Sequence, residues 1–245
     1  MQLFIIRHAQ SVNNEIYART GGSKGRLPDP PLTDVGWRQA TRLANHLARP
    51  VDFGQPDPLN HKGFELTHLY CSLMQRAVET GTAVAEAIGL PLGAWEEIHE
   101  YGGIFEEAAE SGKRIGLPGP NRAYFEANFP HLTLPETLGD DGWWNRPVEP
   151  REQALVRAES FVRGLLARHG DCDDQVAIVT HGGFAYGLMH ALFGFQPVNT
   201  RYEKEVDVWF KFNNSSITRV DIDRRGISLA YQNRVDHLTP DLLSF

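Results

Sequence analysis

What the chain lacks narrows it first. Only two cysteines occur in 245 residues, Cys71 and Cys172, so no disulfide framework holds a chain of this size together. Each thiol reads as a small side chain of a reducing compartment. No run of eighteen apolar residues is present, and no membrane-spanning helix is expected. The opening Leu3-Phe4-Ile5-Ile6 is too short for a secretory signal and has no basic segment before it. The expectation is a soluble, cytoplasmic protein with no membrane partner. Positive charge is also scarce: 24 Lys and Arg face 31 Asp and Glu, a formal charge of −7, which excludes a general attraction to nucleic acid.

Two kinds of motif are missing as well. There is no G-x-x-x-x-G-K-[ST] loop and no strand-linked G-x-G-x-x-G, which disfavours a nucleotide-fuelled kinase or a dehydrogenase. His61 with His68, or His8 with His181, are the pairs one would try as metal ligands. Neither belongs to a Cys-x-x-Cys, His-x-x-x-His or carboxylate cluster of zinc-like spacing, so no metal and no cofactor is expected.

What is present is enough for one core. With 41% hydrophobic and 10% aromatic residues, the chain fits a single domain spanning 1–245, because cores stop growing beyond roughly 250–300 residues. Leu3 to Ile6 reads as a strand buried on both faces. Thr33 is a plausible N-cap for a helix carrying Ala40, Leu43, Ala44 and Leu47. Leu66 to Cys71 reads as a second strand, and Ser72 with Gln75 as the capping box of a helix closed by Gly89. Residues 99–150 break the pattern, with many glycines and prolines, a short helical stretch at Arg122 to Phe129, and the pair Trp143 and Trp144. That segment reads as a lid-like insertion, its tryptophans as packing residues. Regularity resumes with a helix from residue 151, a strand at Val176 to Val179, a helix at Phe184 to Phe193, and strands at Ile217 to Ile222 and Ile227 to Tyr231.

Strands alternating with helices imply a three-layer α/β/α sandwich around a mostly parallel sheet, with ligands at the carboxyl ends of its strands. Three such ends carry unusual polar residues: Arg7-His8, Ser72 to Arg76, and His181. If the strands are neighbours, two imidazoles, two guanidiniums and helix N-termini face one volume. Guanidinium forks and free helical N–H groups match phosphate oxygens. A His nucleophile can attack phosphorus when enough positive charge surrounds the equatorial oxygens.

These residues also carry a resemblance. Arg7-His8-Ala9-Gln10-Ser11 followed by Asn14 resembles the Arg-His-Gly motif of the phosphoglycerate mutase-like histidine phosphatase superfamily, with Ala9 in place of the usual Gly. In the family's order follow Leu32-Thr33-Asp34-Val35-Gly36 with Gln39-Ala40, Ser72 with Arg76-Ala77 and Thr80, Thr180-His181-Gly182, and Asn214-Ser215-Ser216-Ile217-Thr218. The resemblance implies that His8 is the nucleophile and becomes transiently phosphorylated. It also implies that Arg7, Asn14 and Arg76 hold phosphate oxygens, with His181 and the Gly182 amide as further donors. Thr20-Gly21 stands where the family has a small pair near the substrate. For the proton donor, Ile98-His99-Glu100 fits the family's Leu-x-Glu context best, with Glu97 and Glu106 as competing carboxylates.

The implied activity is metal-independent hydrolysis of a small phosphorylated metabolite. Mutases of the family carry a basic Arg-Arg-Ser segment in the insertion, which is missing from 99–150. Mutase-type phosphoryl transfer is the alternative, and a weakly active or inactive phospholigand-binding protein the further one. Homo-oligomer formation through a sheet edge or the insertion is compatible with this architecture.

Overall fold

A computed structural model describes residues 1–50, 57–108, 110–194, 198–199, 205–206 and 208–245. The elements in chain order are β1 (Gln2–Arg7), α1 (Val12–Thr20), α2 (Asp34–Leu47), β2 (His68–Cys71), α3 (Gln75–Ile88), β3 (Leu92–Ala94), β4 (Phe105–Glu107), β5 (Arg114–Gly116), α4 (Arg122–Asn128) and β6 (Leu132–Thr133). They continue with α5 (Arg151–His169), β7 (Gln175–Thr180), α6 (Gly182–Phe193), β8 (Val198–Asn199), β9 (Glu205–Val206), β10 (Ile217–Asp223) and β11 (Gly226–Arg234).

Seven strands form one sheet in the order β11-β10-β1-β7-β2-β3-β6. Pairing is parallel from β1 through β6 and antiparallel at β1/β10 and β10/β11. The two-residue period of β1 sends Phe4 and Ile6 to one face and Leu3 and Ile5 to the other. Phe4 and Ile6 join Leu43 and Leu47 of α2 and Ala77, Val78 and Val84 of α3. Leu3 and Ile5 join Phe161 and Leu165 of α5 and Phe184 and Leu188 of α6. The expected α/β/α sandwich is therefore the observed one. Burial on both faces explains why the strands read as continuous apolar runs.

Several local expectations are corrected. The second strand starts at His68 rather than Leu66. The expected capping box at Ser72 and Gln75 does not form, because Met74 is the N-cap of α3 and makes no side-chain cap bond. Ser72 Oγ instead accepts from Met74 N at 3.1 Å and is thereby held at the mouth of the sheet. A helix at Val12–Thr20, not among the expected elements, is opened by a capping box between Ser11 and Asn14. Segment 99–150 is tied into the body of the protein: β6 pairs with β3, and Phe125, Leu138, Trp143 and Trp144 join the first core cluster. The Trp144 ring lies so close to Gly103 that a Cβ there would sit 2.1 Å from it.

Among the described residues no helix is long and apolar enough to cross a membrane.

Candidate active site

β1 and β7 run parallel with Arg7 opposite Thr180, so His8 and His181 leave adjacent strand ends side by side. Their ring centroids are 5.0 Å apart. The third contributor is α3, which starts just after β2, the strand on the other side of β7. Arg76 in its first turn donates from Nε to His8 Nε2 at 3.1 Å. Three sequence-predicted segments thus converge on one imidazole.

The hydrogen bonds of His8 assign its tautomer. Nδ1 lies 2.7 Å from the carbonyl oxygen of Ala9, which can only accept, so the ring proton is on Nδ1. Nε2 then carries the lone pair, and Arg76 donates to it. Burial first, then Arg76 and Arg7, lowers the His8 pKa well below its ordinary value, and the ring is neutral at pH 7. His8 is therefore a buried, oriented, uncharged imidazole with guanidinium groups around it.

The backbone around His8 is fixed from several sides. Its own N–H bonds Thr180 O at 2.9 Å, and its carbonyl accepts from Asn214 Nδ2 at 3.1 Å and from Ser215 N at 3.3 Å. Ser215 adopts φ 59°, a left-handed conformation that turns its amide toward Arg7 and His8. Ala9 donates to Thr80 Oγ1 at 3.0 Å and packs against Leu32 and Ala40. It is not among the residues of positive φ, so a methyl group at this position meets no backbone strain.

Donors for an anion surround Nε2. Arg7 Nε and His181 Nδ1 are buried without hydrogen-bond partners. Unmade bonds of this kind cost about 1–3 kcal/mol each, a cost that any acceptor entering the site would remove. Arg7 is oriented by donation from Nη1 to Phe212 O, and burial lowers its pKa to about 10 while Glu100 acts in the opposite sense. His181 Nε2 meets Ser72 Oγ at 2.9 Å, and burial, then Arg76, keeps its ring neutral. Asn14 Oδ1 collects bonds from Ser11 N at 3.1 Å, Ser11 Oγ at 2.8 Å and Asn214 Nδ2 at 3.4 Å, leaving Nδ2 as the amide's donor. Gly182 opens α6 beside Arg7, and a Cβ there would stand 3.5 Å from Arg7 Nε.

The three competing carboxylates have separate environments. Glu100 Oε1 accepts from Phe184 N at 2.9 Å and Tyr101 N at 3.0 Å, and Oε2 from Gly183 N at 3.0 Å. It thus sits on the first turn of α6, next to His181, close enough to Arg7 and Arg76 to oppose part of the lowering that burial imposes on their pKa values. Glu97 is engaged with Trp95 Nε1 at 2.7 Å and Ser160 Oγ at 3.3 Å. Glu106 is exposed on β4. Of the three, Glu100 is the one that acts on Arg7 and Arg76 beside His8.

The bonds of Thr20 and Gly21 stay within α1 and the turn after it, away from this cluster. Both residues lie at the exposed C-terminal end of α1, where Gly21 takes φ 69° and Thr20 Oγ1 donates to Ile16 O at 2.7 Å.

Other contributors carried no signal readable in sequence. Asp29, in the Gly/Pro-rich loop, lies 3.6 Å from Arg76 Nη1 and accepts from Gln75 N at 3.0 Å. Burial raises its pKa to about 6, against the pull of Arg76. Arg157 on α5 donates to the carbonyls of Glu97 and His99 and forms a double bond pair with Glu149 at 2.7 and 2.6 Å, clamping the segment that delivers Glu100. Among the described residues two His/Asp groups with metal-ligand character lie outside the site, one at His46, Asp236 and His237 and one at His68, His169 and Asp174.

The strand ends thus bring an Arg-His pair, a second Arg and a second His to one point, the arrangement the resemblance implies. The family model of the histidine phosphatase superfamily (branch 1) matches residues 3–234, and the chain belongs to that superfamily. Among curated proteins it is similar to 2,3-bisphosphoglycerate-dependent phosphoglycerate mutase 1 of Latilactobacillus sakei, with 26% identity over 207 residues, 78% of this chain and 79% of the relative. Among solved structures it resembles a mycobacterial glucosyl-3-phosphoglycerate phosphatase at TM-score 0.57 and 18% identity, covering 96% of this chain and 99% of that one. Phosphoserine phosphatase from Entamoeba histolytica matches at TM-score 0.57 and 16% identity, over 97% and 99% of the two chains. At these identities the solved structures establish a common fold.

Proposed function

We propose that this protein is a phosphatase that hydrolyses a small phosphomonoester through a phosphohistidine on His8. The observation that carries the reading is the state of His8: Nδ1–H is committed to Ala9 O, and the Nε2 lone pair lies among Arg7, Arg76 and His181. In the first step Arg76 Nε passes from His8 Nε2 to a phosphoryl oxygen, and Nε2 bonds to phosphorus as the ester P–O bond breaks. Arg7, Asn14, His181 and the Gly182 amide hold the equatorial oxygens, where charge gathers in the transition state. Glu100 gives its proton to the leaving alkoxide. In the second step the ionised Glu100 takes a proton from water, the hydroxide oxygen bonds to phosphorus, and the P–N bond returns its electrons to Nε2.

The names of the similar proteins support phosphorylated metabolites as the substrate class, and two of them are phosphatases. The mutase among the relatives favours a second reading, in which the phosphoryl group returns to another hydroxyl. The two separate on incubation with phosphoglycerate, by inorganic phosphate released against isomer formed.

Millisecond quench of the enzyme with labelled phosphoester should trap acid-labile, alkali-stable phosphate on His8, and His8→Ala should abolish both label and turnover. Turnover should also be unchanged by chelators, since Arg7 and Arg76 supply the positive charge. Tight phospholigand binding without label or turnover would instead identify a binding protein.

A further inference from the structure

Two groups of three ligand-type residues lie outside the site, each with its ligand atoms within 4.8 Å of one another. They differ in what their nitrogens already do. In the first, His169 Nδ1 meets Asp174 Oδ2 at 2.8 Å, His169 Nε2 meets Tyr70 Oη at 3.2 Å, and His68 Nδ1 meets Thr67 Oγ1 at 2.9 Å. That network is satisfied without an ion. In the second, both ring nitrogens of His46 and both of His237 are buried with no hydrogen bond of good geometry, the Ser215 backbone offering the His237 ring only a weak one. The rings face each other with centroids 5.1 Å apart, and they are 3% and 8% exposed. A neutral imidazole has one donor and one acceptor, and leaving both unmade in two adjacent buried rings requires an explanation.

We propose that His46 and His237, with Asp236 at the rim, bind a divalent transition-metal ion of the zinc class. The ligand set is of the kind such ions prefer, two imidazoles and a carboxylate, and it is poor for calcium or magnesium, which want oxygen alone. With bonds of about 2.0–2.2 Å, ligand atoms around a tetrahedral ion stand roughly 3.4 Å apart, and the two stacked rings, 22° from parallel, must turn about their side-chain bonds to bring their in-plane lone pairs onto one ion. The Asp236 carboxylate already accepts from Arg234 Nε and Nη2, each at 2.8 Å, yet each oxygen keeps a second lone pair. Arg49 and Arg234 face His46 and oppose a cation, which leaves the imidazole lone pairs as the main source of affinity. Phe64 packs edge-on to His46 at 5.3 Å and closes one side, and the exposed Asp236 leaves the fourth position to water.

Such an ion joins the last turn of α2 to the segment that follows β11. His237 lies beside the backbone of Ser215, whose amide bonds the carbonyls of Arg7 and His8. The site would therefore brace the turn behind the nucleophile from a distance, taking no part in the reaction there.

The test uses the full chain, stripped with a chelator and titrated with Co²⁺ and then Zn²⁺. One equivalent of Co²⁺ should give the visible bands of a tetrahedral ion, which Zn²⁺ displaces. Zn²⁺ at a hundredfold excess over Kd should raise Tm by about 5–10 °C. Asp236→Asn, at an exposed position, should weaken binding about tenfold or more, His237→Gln should abolish it, and His68→Ala in the satisfied cluster should leave it unchanged. Absent Co²⁺ bands with an unmoved Tm would overturn the proposal and assign the four nitrogens to buried water. Binding that survives both Asp236→Asn and His237→Gln, or that is lost in His68→Ala, would overturn it by placing the ion elsewhere.

Discussion

The nucleophile proposed for this site must be uncharged, and at His8 burial, Arg76 and Arg7 all push in that direction. Protonation of Nε2 would put a third positive charge beside two guanidiniums, so the proton is taken up only in acid well below the ordinary histidine range. Imidazole NMR of the free enzyme should therefore find His8 neutral, with its proton on Nδ1, at pH 6. A midpoint at or above 6.5 would contradict the geometry. His8, Arg7, Arg76 and His181 were legible in the sequence because each stands at the end of an apolar run, or just after one, where a buried strand abruptly becomes polar. Asp29 was not, since an acidic residue among glycines and prolines looks like any solvated loop residue. Its proximity to Arg76 is created only by the packing of the loop against α3.

The first turn of α6 is the element on which the chemistry turns. His181 is its N-cap, Gly182 stands beside Arg7, and Gly183 and Phe184 hold Glu100. A Cβ on Gly183 would come within 2.3 Å of Glu100 Oε1 and 2.6 Å of Tyr101 Cδ1. Gly183→Ala should therefore displace the Glu100 carboxylate and lower kcat on the order of a hundredfold, with a much smaller change in KM. Equal losses in binding and turnover would instead point to a general collapse of the pocket. The helix itself was readable from its apolar run, but the need for glycine at its second position was not, because Glu100 arrives from another part of the chain. The same limit explains Ser72: Ser-x-x-Gln suggested a cap, whereas the hydroxyl is bonded to His181, a partner no local pattern reveals. Arg157 likewise reads as one more basic residue on an amphipathic helix, until its carbonyl partners are seen.

At the scale of the whole molecule, the buried histidines set the response to acid. His8, His99 and His181 all have pKa values well below 6.5 in the folded state, each chiefly through burial. Below about pH 6.5 the unfolded chain takes up protons that the native state refuses, so stability falls as pH drops, by up to about 1.4 kcal/mol per pH unit for each group. Asp29, raised to about 6, and Glu79, also raised, act in the opposite sense, Asp29 already within that range, because the native state binds the extra proton first, and they offset only part of the three histidines' effect. Between pH 7 and 5.5 the histidines dominate, and Tm should decline over that interval. A flat or rising Tm would sink the argument. The sandwich and the mostly parallel sheet were legible from alternating apolar runs, but the edge strand β6 was not, because a strand of two residues has no period to read.

The strand order has one more consequence. β1 comes early in the chain, yet its partners in the sheet are β7 and β10, from its far side. During synthesis on the ribosome, Leu3-Phe4-Ile5-Ile6 waits unpaired until most of the chain has emerged, and the sheet closes only after that. Such long-range pairing slows folding and leaves an apolar segment open to capture by other chains or by chaperones in the interval.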